Sequence, residues 1–122
     1  MENFLNKEDY EFYKKSMRTT IVAGKTILTN NGFYADEPDI DTRKKITHMS
    51  INRDVKKLKE YKFNDYSNLR YLNYALEIEN INLEKFNNLN ILQILISDIA
   101  SKKLLNLPNI ETLIFSKTIE LH

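Results

Sequence analysis

Residues 69–74 read Leu-Arg-Tyr-Leu-Asn-Tyr, residues 89–94 read Leu-Asn-Ile-Leu-Gln-Ile, and residues 110–115 read Ile-Glu-Thr-Leu-Ile-Phe. Each phrase has apolar or aromatic side chains at its first, fourth and sixth positions, and a weaker copy, Ile-Thr-His-Met-Ser-Ile, occupies residues 46–51. The four phrases begin 23, 20 and 21 residues apart. A regular spacing of about 20–30 residues predicts stacked repeats that each add one short strand to a continuous core.

The segments between the phrases keep the same spacing and end in polar turns. Phe86 and Leu107, two of their apolar anchors, lie 21 positions apart. An asparagine (Asn68, Asn88 or Asn109) directly precedes each of the last three phrases. We expect the fourth and sixth residues of neighbouring phrases to pack together, namely Leu72 and Tyr74, Leu92 and Ile94, and Leu113 and Phe115.

These phrases resemble leucine-rich repeats, whose signature begins L-x-x-L-x-L, and the resemblance covers residues 46–122. It implies an α/β fold, a short solenoid of about three and a half repeats with parallel β-strands and a helical N-terminal segment. The family often has Asn or Cys nine positions into the repeat, where this chain has Asp54, Glu77, Ser97 and Thr118, so the repeats are degenerate. The alternative is an ordinary α/β or helical domain in which Leu and Ile recur without stacking.

The resemblance also implies a site. In the family, residues between the apolar anchors project from the concave face of the sheet, where partners bind. Carried over by position, the partner-binding residues are Tyr71, Asn73, Ile91, Gln93, Leu95, Thr112 and Ile114, and the same face continues through His48, Ser50, Asn52, Ala75 and Ser116. Exposed apolar side chains rimmed by polar ones often mark interfaces. The alternative is that the N-terminal region or a second copy of the chain covers this face.

The N-terminal region predicts a helix over residues 6–18. Asn6 is a candidate N-cap, and Asp9 follows at capping-box spacing, although Asp is shorter than the usual Glu or Gln. One face of this helix carries Tyr10, Tyr13 and Met17. Phe12 lies off that face.

The region between this helix and the phrases is less defined. Residues 19–23 fit a strand or a continued helix, and Asn30-Asn31-Gly32 predicts a turn. Residues 30–45 combine charged clusters with few apolar side chains, so we expect a solvated loop, with an interaction motif as the alternative. The predicted organisation is a helical N-terminal segment (1–29), a polar linker (30–45) and leucine-rich repeats (46–122).

The phrase Phe4–Ser16 is also distantly similar to the second half of an F-box, in which a Lys-Asp helix start precedes an amphipathic helix. Together with degenerate leucine-rich repeats, it makes the chain similar to F-box/leucine-rich-repeat proteins of large DNA viruses and eukaryotes. Such proteins hold substrates for ubiquitin ligases, so the similarity implies a Skp1-type protein as a partner. The Leu-Pro opening of the F-box is absent from this sequence.

Composition argues against several other classes. The 18 basic and 17 acidic side chains leave a net charge of +1, which gives no general attraction for nucleic acid or acidic membranes. The absence of Cys excludes disulfides, thiolate catalysis and cysteine zinc sites. The N-terminus does not read as a signal peptide, and no apolar stretch is long enough to span a bilayer. We therefore expect an intracellular, cytoplasmic protein.

Motifs for catalysis or cofactor binding are equally weak. Gly24-Lys25-Thr26 lacks the glycine that a P-loop needs five residues before Gly24, and no Glu or His lies at metal-ligand spacing from His48. We predict no catalytic residue, metal or cofactor, and a non-catalytic scaffold that binds a protein partner through the concave face. The alternatives are an F-box-like substrate adaptor for a ubiquitin ligase, and a small enzyme or nucleic-acid binder on a non-repeat fold.

The last phrase is followed only by residues 116–122, in which Ile119 and Leu121 are still apolar. Terminal repeats normally need a polar cap. We therefore expect an open C-terminal edge, either covered in a homodimer or left by truncation.

Overall fold

The computed structural model of the protein describes residues 6–18, 27–51, 61–74, 83–95 and 109–116. In these ranges the chain forms two α-helices, α1 (Lys7–Arg18) and α2 (Ile40–Lys45). The strands are β1 (Ile27–Thr29), β2 (Gly32–Tyr34), β3 (His48–Ile51), β4 (Tyr71–Tyr74), β5 (Ile91–Leu95) and β6 (Thr112–Ser116). Two short 3₁₀ helices, Phe63–Asp65 and Leu83–Lys85, precede β4 and β5. The predicted α/β class is confirmed, and no described helix has the length and apolar character needed to cross a membrane.

The described strands form one open sheet in the order β2-β1-β3-β4-β5-β6. Strands β3 to β6 run parallel, and β1 is antiparallel to both β2 and β3. The register places Met49, Leu72, Leu92 and Leu113 side by side across the four parallel strands. Equivalent positions of the four phrases are therefore neighbours in space, and the prediction of parallel strands is confirmed.

The main core lies on one face of this sheet. The inward residues Leu72, Tyr74, Leu92 and Ile94 are fully buried there, as predicted. Side chains of the segments between the strands close this core from the other side, among them Tyr61, Phe63, Tyr66, Leu83 and Phe86. In β6, by contrast, Leu113 is 39% and Phe115 is 40% exposed. The apolar row that runs across the sheet therefore ends in two incompletely covered side chains.

The turns before the strands repeat as regularly as the strands. Nδ2 of Asn68 donates to the carbonyl of Lys44 at 2.7 Å, and Nδ2 of Asn88 donates to the carbonyl of Ser67 at 2.6 Å. Nδ2 of Asn109 makes a longer bond, 3.5 Å, to the carbonyl of Asn87. The asparagine before each of the last three phrases thus connects its own unit to the preceding one.

The predicted turn at Asn30 and Asn31 is confirmed, and it joins β1 to β2 in a hairpin. Gly32 follows it with a φ of 124°, in the region that favours glycine. Oδ1 of Asn30 accepts a hydrogen bond from the backbone N–H of Thr47 at 2.9 Å. The turn is therefore attached to the residue that precedes β3.

The prediction of a solvated loop over residues 30–45 was wrong for the parts that form β2 and α2. Asp39 caps α2 by accepting a bond from the backbone N–H of Thr42 at 3.0 Å. Nη2 of Arg43 donates to Oδ2 of Asp65 at 2.9 Å, and Oε2 of Glu37 accepts from the hydroxyl of Tyr66 at 3.0 Å. The charges that suggested a loop are used to hold this segment against the first 3₁₀ helix. The division of the chain into three parts stays a prediction, although β1, β2 and the repeat strands share one sheet.

Helix α1 begins as predicted, because Oδ1 of Asn6 accepts a hydrogen bond from the backbone N–H of Asp9 at 2.9 Å. Tyr10 and Tyr13 do share a face, with ring centroids 6.3 Å apart, but both are only partly buried. Among the described side chains of α1, those that enter the molecule are Asp9 and Phe12. The side chain of Met17, residues 19–23 and the Gly24-Lys25-Thr26 motif lie outside the described part of the structure.

The two leucines of one apolar row provide a test of the stacking. We expect Leu92→Ala to lower the free energy of unfolding by about 2–5 kcal/mol, because it leaves a cavity in the core. The matched change Leu113→Ala should cost much less, since that side chain is 39% exposed. Urea denaturation of both variants measures the difference, and equal losses would contradict the described difference in burial between the two side chains.

Candidate functional site

The residues that the resemblance assigns to partner binding lie on the sheet face opposite the main core. Side chains alternate along a strand, so this shared face follows from the register. Five of the seven are buried, namely Tyr71, Asn73, Ile91, Gln93 and Ile114. Thr112 is half-buried, and the side chain of Leu95 lies outside the description. Their assignment to partner binding stays a prediction. That assignment assumes exposed side chains, and this assumption was wrong for the five buried residues.

The N-terminal region covers the apolar part of this face, which is the alternative that the sequence left open. Phe12 of α1 packs against Tyr71 with ring centroids 5.1 Å apart in an edge-on arrangement. The same ring lies 5.1 Å from the imidazole of His48. A second apolar cluster forms around Phe12 and contains Leu28, Tyr71, Ile91 and Ile114, with Tyr10, Tyr13 and Phe33 packed against it.

A buried polar cluster lies beside Phe12 and joins α1 to β3 and to Arg70, the residue before β4. Asp9 is 3% exposed, and its Oδ1 lies 2.7 Å from both Nε2 of His48 and Nη2 of Arg70. Its Oδ2 accepts a second bond from Nη1 of Arg70 at 3.1 Å. Nη2 of Arg70 also lies 3.4 Å from Oε2 of Glu8. The guanidinium therefore holds one carboxylate through two donors, which is the strong geometry for such a pair.

The protonation states of this cluster follow from its surroundings. Burial raises the pKa of Asp9, but the hydrogen bonds from Arg70 and His48 outweigh it and hold that pKa below its ordinary value. Burial lowers the pKa of His48 and outweighs the opposite influence of Asp9, and the charge of Arg70 adds to the lowering. The cluster at neutral pH is therefore a carboxylate, a guanidinium and a neutral imidazole.

The hydrogen bonds assign one tautomer to that imidazole. Because the Asp9 carboxylate only accepts, Nε2 of His48 carries the proton and donates to it. Nδ1 is then the acceptor for the hydroxyl of Thr47, at 2.7 Å. Both ring nitrogens are satisfied without a net charge on the ring.

The chain Thr47–His48–Asp9 has the order of a hydroxyl, imidazole and carboxylate triad. A catalytic base must reach its substrate, however, and His48 is 1% exposed. Asp9 raises the pKa of the ring, as a triad acid does, but burial and the charge of Arg70 outweigh it and keep the His48 pKa below its ordinary value. Within the described ranges, no three His, Asp or Glu side chains are grouped so that they could hold a metal ion. The geometry therefore favours a role in positioning α1.

Sequence reasoning considered His48 but missed its partners. Asp9 lies 39 positions before His48 and 61 before Arg70, so no local spacing connects them. One signal was available, since Asp9 occupies the capping-box position where a longer Glu or Gln is usual. A short acid there cannot easily reach back to the cap, and in the structure its side chain turns to the sheet instead.

The His48 environment predicts a pH dependence. In a His122→Gln variant, His48 is the remaining histidine, and we expect its imidazole to titrate below the ordinary value of 6.5. The unfolded chain then binds this proton at a higher pH than the folded chain. The free energy of unfolding should therefore be largest above about pH 6.5 and fall as the pH drops towards the folded pKa. The lowered pKa of Asp9 continues this loss below 3.8.

Urea denaturation from about pH 8 to about pH 5 and NMR of the imidazole carbons measure both effects. The double variant His48→Gln/His122→Gln is the control and should lose the change in stability between these pH values. A His48 that titrates above 6.5 in the folded chain would contradict the burial argument.

Comparison with known proteins identifies no relative of this chain. No protein-family model, curated protein or solved structure matches the chain. The similarities to leucine-rich repeats and to the F-box therefore stay predictions from the residues that carry them.

Proposed function

We propose that the protein is a non-catalytic protein-interaction scaffold of the leucine-rich-repeat type, and that its partner binds the sheet face that α1 covers. The stacked register of the four phrases and the repeated asparagine bonds support a short solenoid. Stacked repeats commonly present an extended sheet face to partners.

The contrast between the two faces of the same strands carries this proposal. The main-core face is aliphatic and aromatic throughout. On the covered face, Ser50, Asn73 and Gln93 follow one another across β3, β4 and β5 in direct register. The hydroxyl of Tyr71 donates to Oε1 of Gln93 at 2.9 Å on this face. Interfaces are enriched in aromatic side chains and contain hydrogen-bonding groups, and this face has both.

Helix α1 covers the sheet face with few buried side chains. Among the described side chains of α1, Asp9 and Phe12 are the buried ones, and the others are half-buried or exposed. A helix of 12 residues is marginal in water without tertiary contacts. Elements with few buried contacts open at a low free energy, so a helix that buries two of its described side chains is suited to move aside from the sheet.

Two further predicted contacts remain open. Asp9 and Phe12 belong to the F-box-like phrase, and binding of a Skp1-type protein to them needs the same release of α1. The exposed Leu113 and Phe115 lie at the β6 end of the sheet, where the sequence predicts a homodimer. Both stay predictions, because no specific contact favours either of them over the covered face.

Affinity capture with matched variants tests the proposal. We expect Phe12→Ala, which weakens the cover, to capture a defined set of proteins from the native cell several-fold more strongly than the unaltered chain. Adding Asn73→Arg to the Phe12→Ala chain puts a charge on the covered face and should abolish the increase in captured protein. Adding Asn64→Arg instead, which makes the same change at an exposed position of the first 3₁₀ helix, should leave that increase unchanged.

Mass spectrometry of the captured proteins and circular dichroism of each variant provide the readout. The proposal is contradicted if the two arginine variants, both folded, capture the same proteins in the same amounts. It is also contradicted if weakening the cover changes nothing.

A further inference from the structure

We infer that the covered face is a receptor for an amphipathic helix that carries a carboxylate and, three residues later, an aromatic side chain, and that such a helix of a partner protein replaces α1. This inference rests on the proposed function and names the kind of partner. The occupant seen in the structure, α1, is the template for it.

The first recognition element is the carboxylate. Arg70 binds both oxygens of Asp9, and Nε2 of His48 binds one of them. Without an acid in this place, a guanidinium that is 27% exposed and a buried imidazole N–H would lose their acceptor. Leaving partly buried donors unpaired is costly, so the receptor selects against helices that lack the acid.

The second element is an aromatic slot. The rings of His48 and Tyr71 lie on neighbouring strands with centroids 5.6 Å apart, and Phe12 lies 5.1 Å from each of them. These tilted and edge-on contacts suit a flat ring better than an aliphatic chain. The slot therefore selects an aromatic residue.

The spacing is set by His48, which contacts both elements. Its Nε2 bonds the carboxylate, and its ring faces Phe12. Residues three apart lie on the same face of a helix, so the spacing matches a helical ligand. A strand with the same two residues would present them on opposite faces of its backbone. The charge of Arg70, with Glu8 at 3.4 Å, also favours an acidic first turn.

The competition between α1 and an external helix makes the inference measurable. The apparent dissociation constant for a helix is inversely proportional to the fraction of the protein in which α1 has left the covered face. The rarer that open state is, the weaker the measured binding. A chain with a weakened cover should therefore bind a helix in trans more tightly than the unaltered chain does. The suitable probe is a labelled synthetic peptide of residues 3–18, because it carries Asp9 and Phe12 at the observed spacing.

Fluorescence anisotropy with the full-length Phe12→Ala chain tests this. We expect saturable binding of the peptide, about tenfold or more tighter than to the unaltered chain. Peptides with Asp9→Asn or Phe12→Ala should bind about tenfold or more weakly. A peptide with Asp9→Asn and Tyr10→Asp keeps the net charge but moves the acid by one position, and it should also bind weakly.

The receptor has its own control. In an Arg70→Gln background, the unaltered peptide and the Asp9→Asn peptide should bind with similar affinity, which a merely destabilised chain would not produce. If circular dichroism shows that Phe12→Ala does not fold, the Asp9→Asn chain replaces it. Absence of saturable binding to a folded, weakened chain overturns the inference, as does equal binding of the shifted-acid peptide.

Two outcomes separate this inference from the proposed function. If capture depends on Asn73 but the peptide does not bind, the scaffold function stands and the helical partner is rejected. If the peptide binds but capture ignores Asn73, the face still accepts the α1 helix in trans, but the scaffold function is rejected and the helix of a partner protein with it. If light scattering shows that the unaltered chain is a dimer that the peptide dissociates, a second copy supplies the helix and the separate partner is rejected.

Discussion

The carboxylate of Asp9 determines how the N-terminal helix lies on the sheet. It is almost fully buried, and Arg70 and His48 together satisfy both of its oxygens. Removing one partner of such a group is expensive because a buried charge is left unpaired. The position of Phe12 and the closure of the aromatic slot over Tyr71 depend on this contact of α1 with β3 and with the residue that precedes β4.

The repeat provides the platform for that contact. Each parallel strand sends alternate side chains to two faces, and the register lines up equivalent residues of successive units. One face becomes a core of aliphatic and aromatic residues, closed by the segments between strands. The other becomes a mixed polar and aromatic surface closed by α1 and the β1–β2 hairpin. The same short strands therefore have one face that forms the core and another that is available for the proposed binding role.

Much of the repeat region was predictable from periodicity. The phrases predict the strands, their parallel register and the burial of Leu72 and Leu92, because a period near 21 residues leaves few ways to stack apolar rows. The same reasoning overestimated the burial of the apolar side chains in β6, because no further described strand lies beside Leu113. The asparagines before the phrases were visible in the sequence, but their bonds to the preceding unit depend on the stacked geometry.

The rest depended on contacts between distant residues. Residues 30–45 read as a loop because composition counts charges without showing which ones pair, and Arg43 finds Asp65 only in the folded chain. The covered face was likewise hidden, since nothing local connects an acid in the first helical turn to Arg70. An acid near a helix N-terminus is already favourable in water, so its burial leaves little trace in the sequence.

Native-state hydrogen exchange tests the central claim most directly, namely that α1 can leave while the sheet stays folded. We predict that amides of α1 exchange through an opening with a smaller free energy than amides of β4 and β5. The Asp9→Asn variant should lower the opening free energy of α1 further and change that of the two strands much less. The account is contradicted if helix and strand amides exchange only through one common global unfolding, shifting together in both chains.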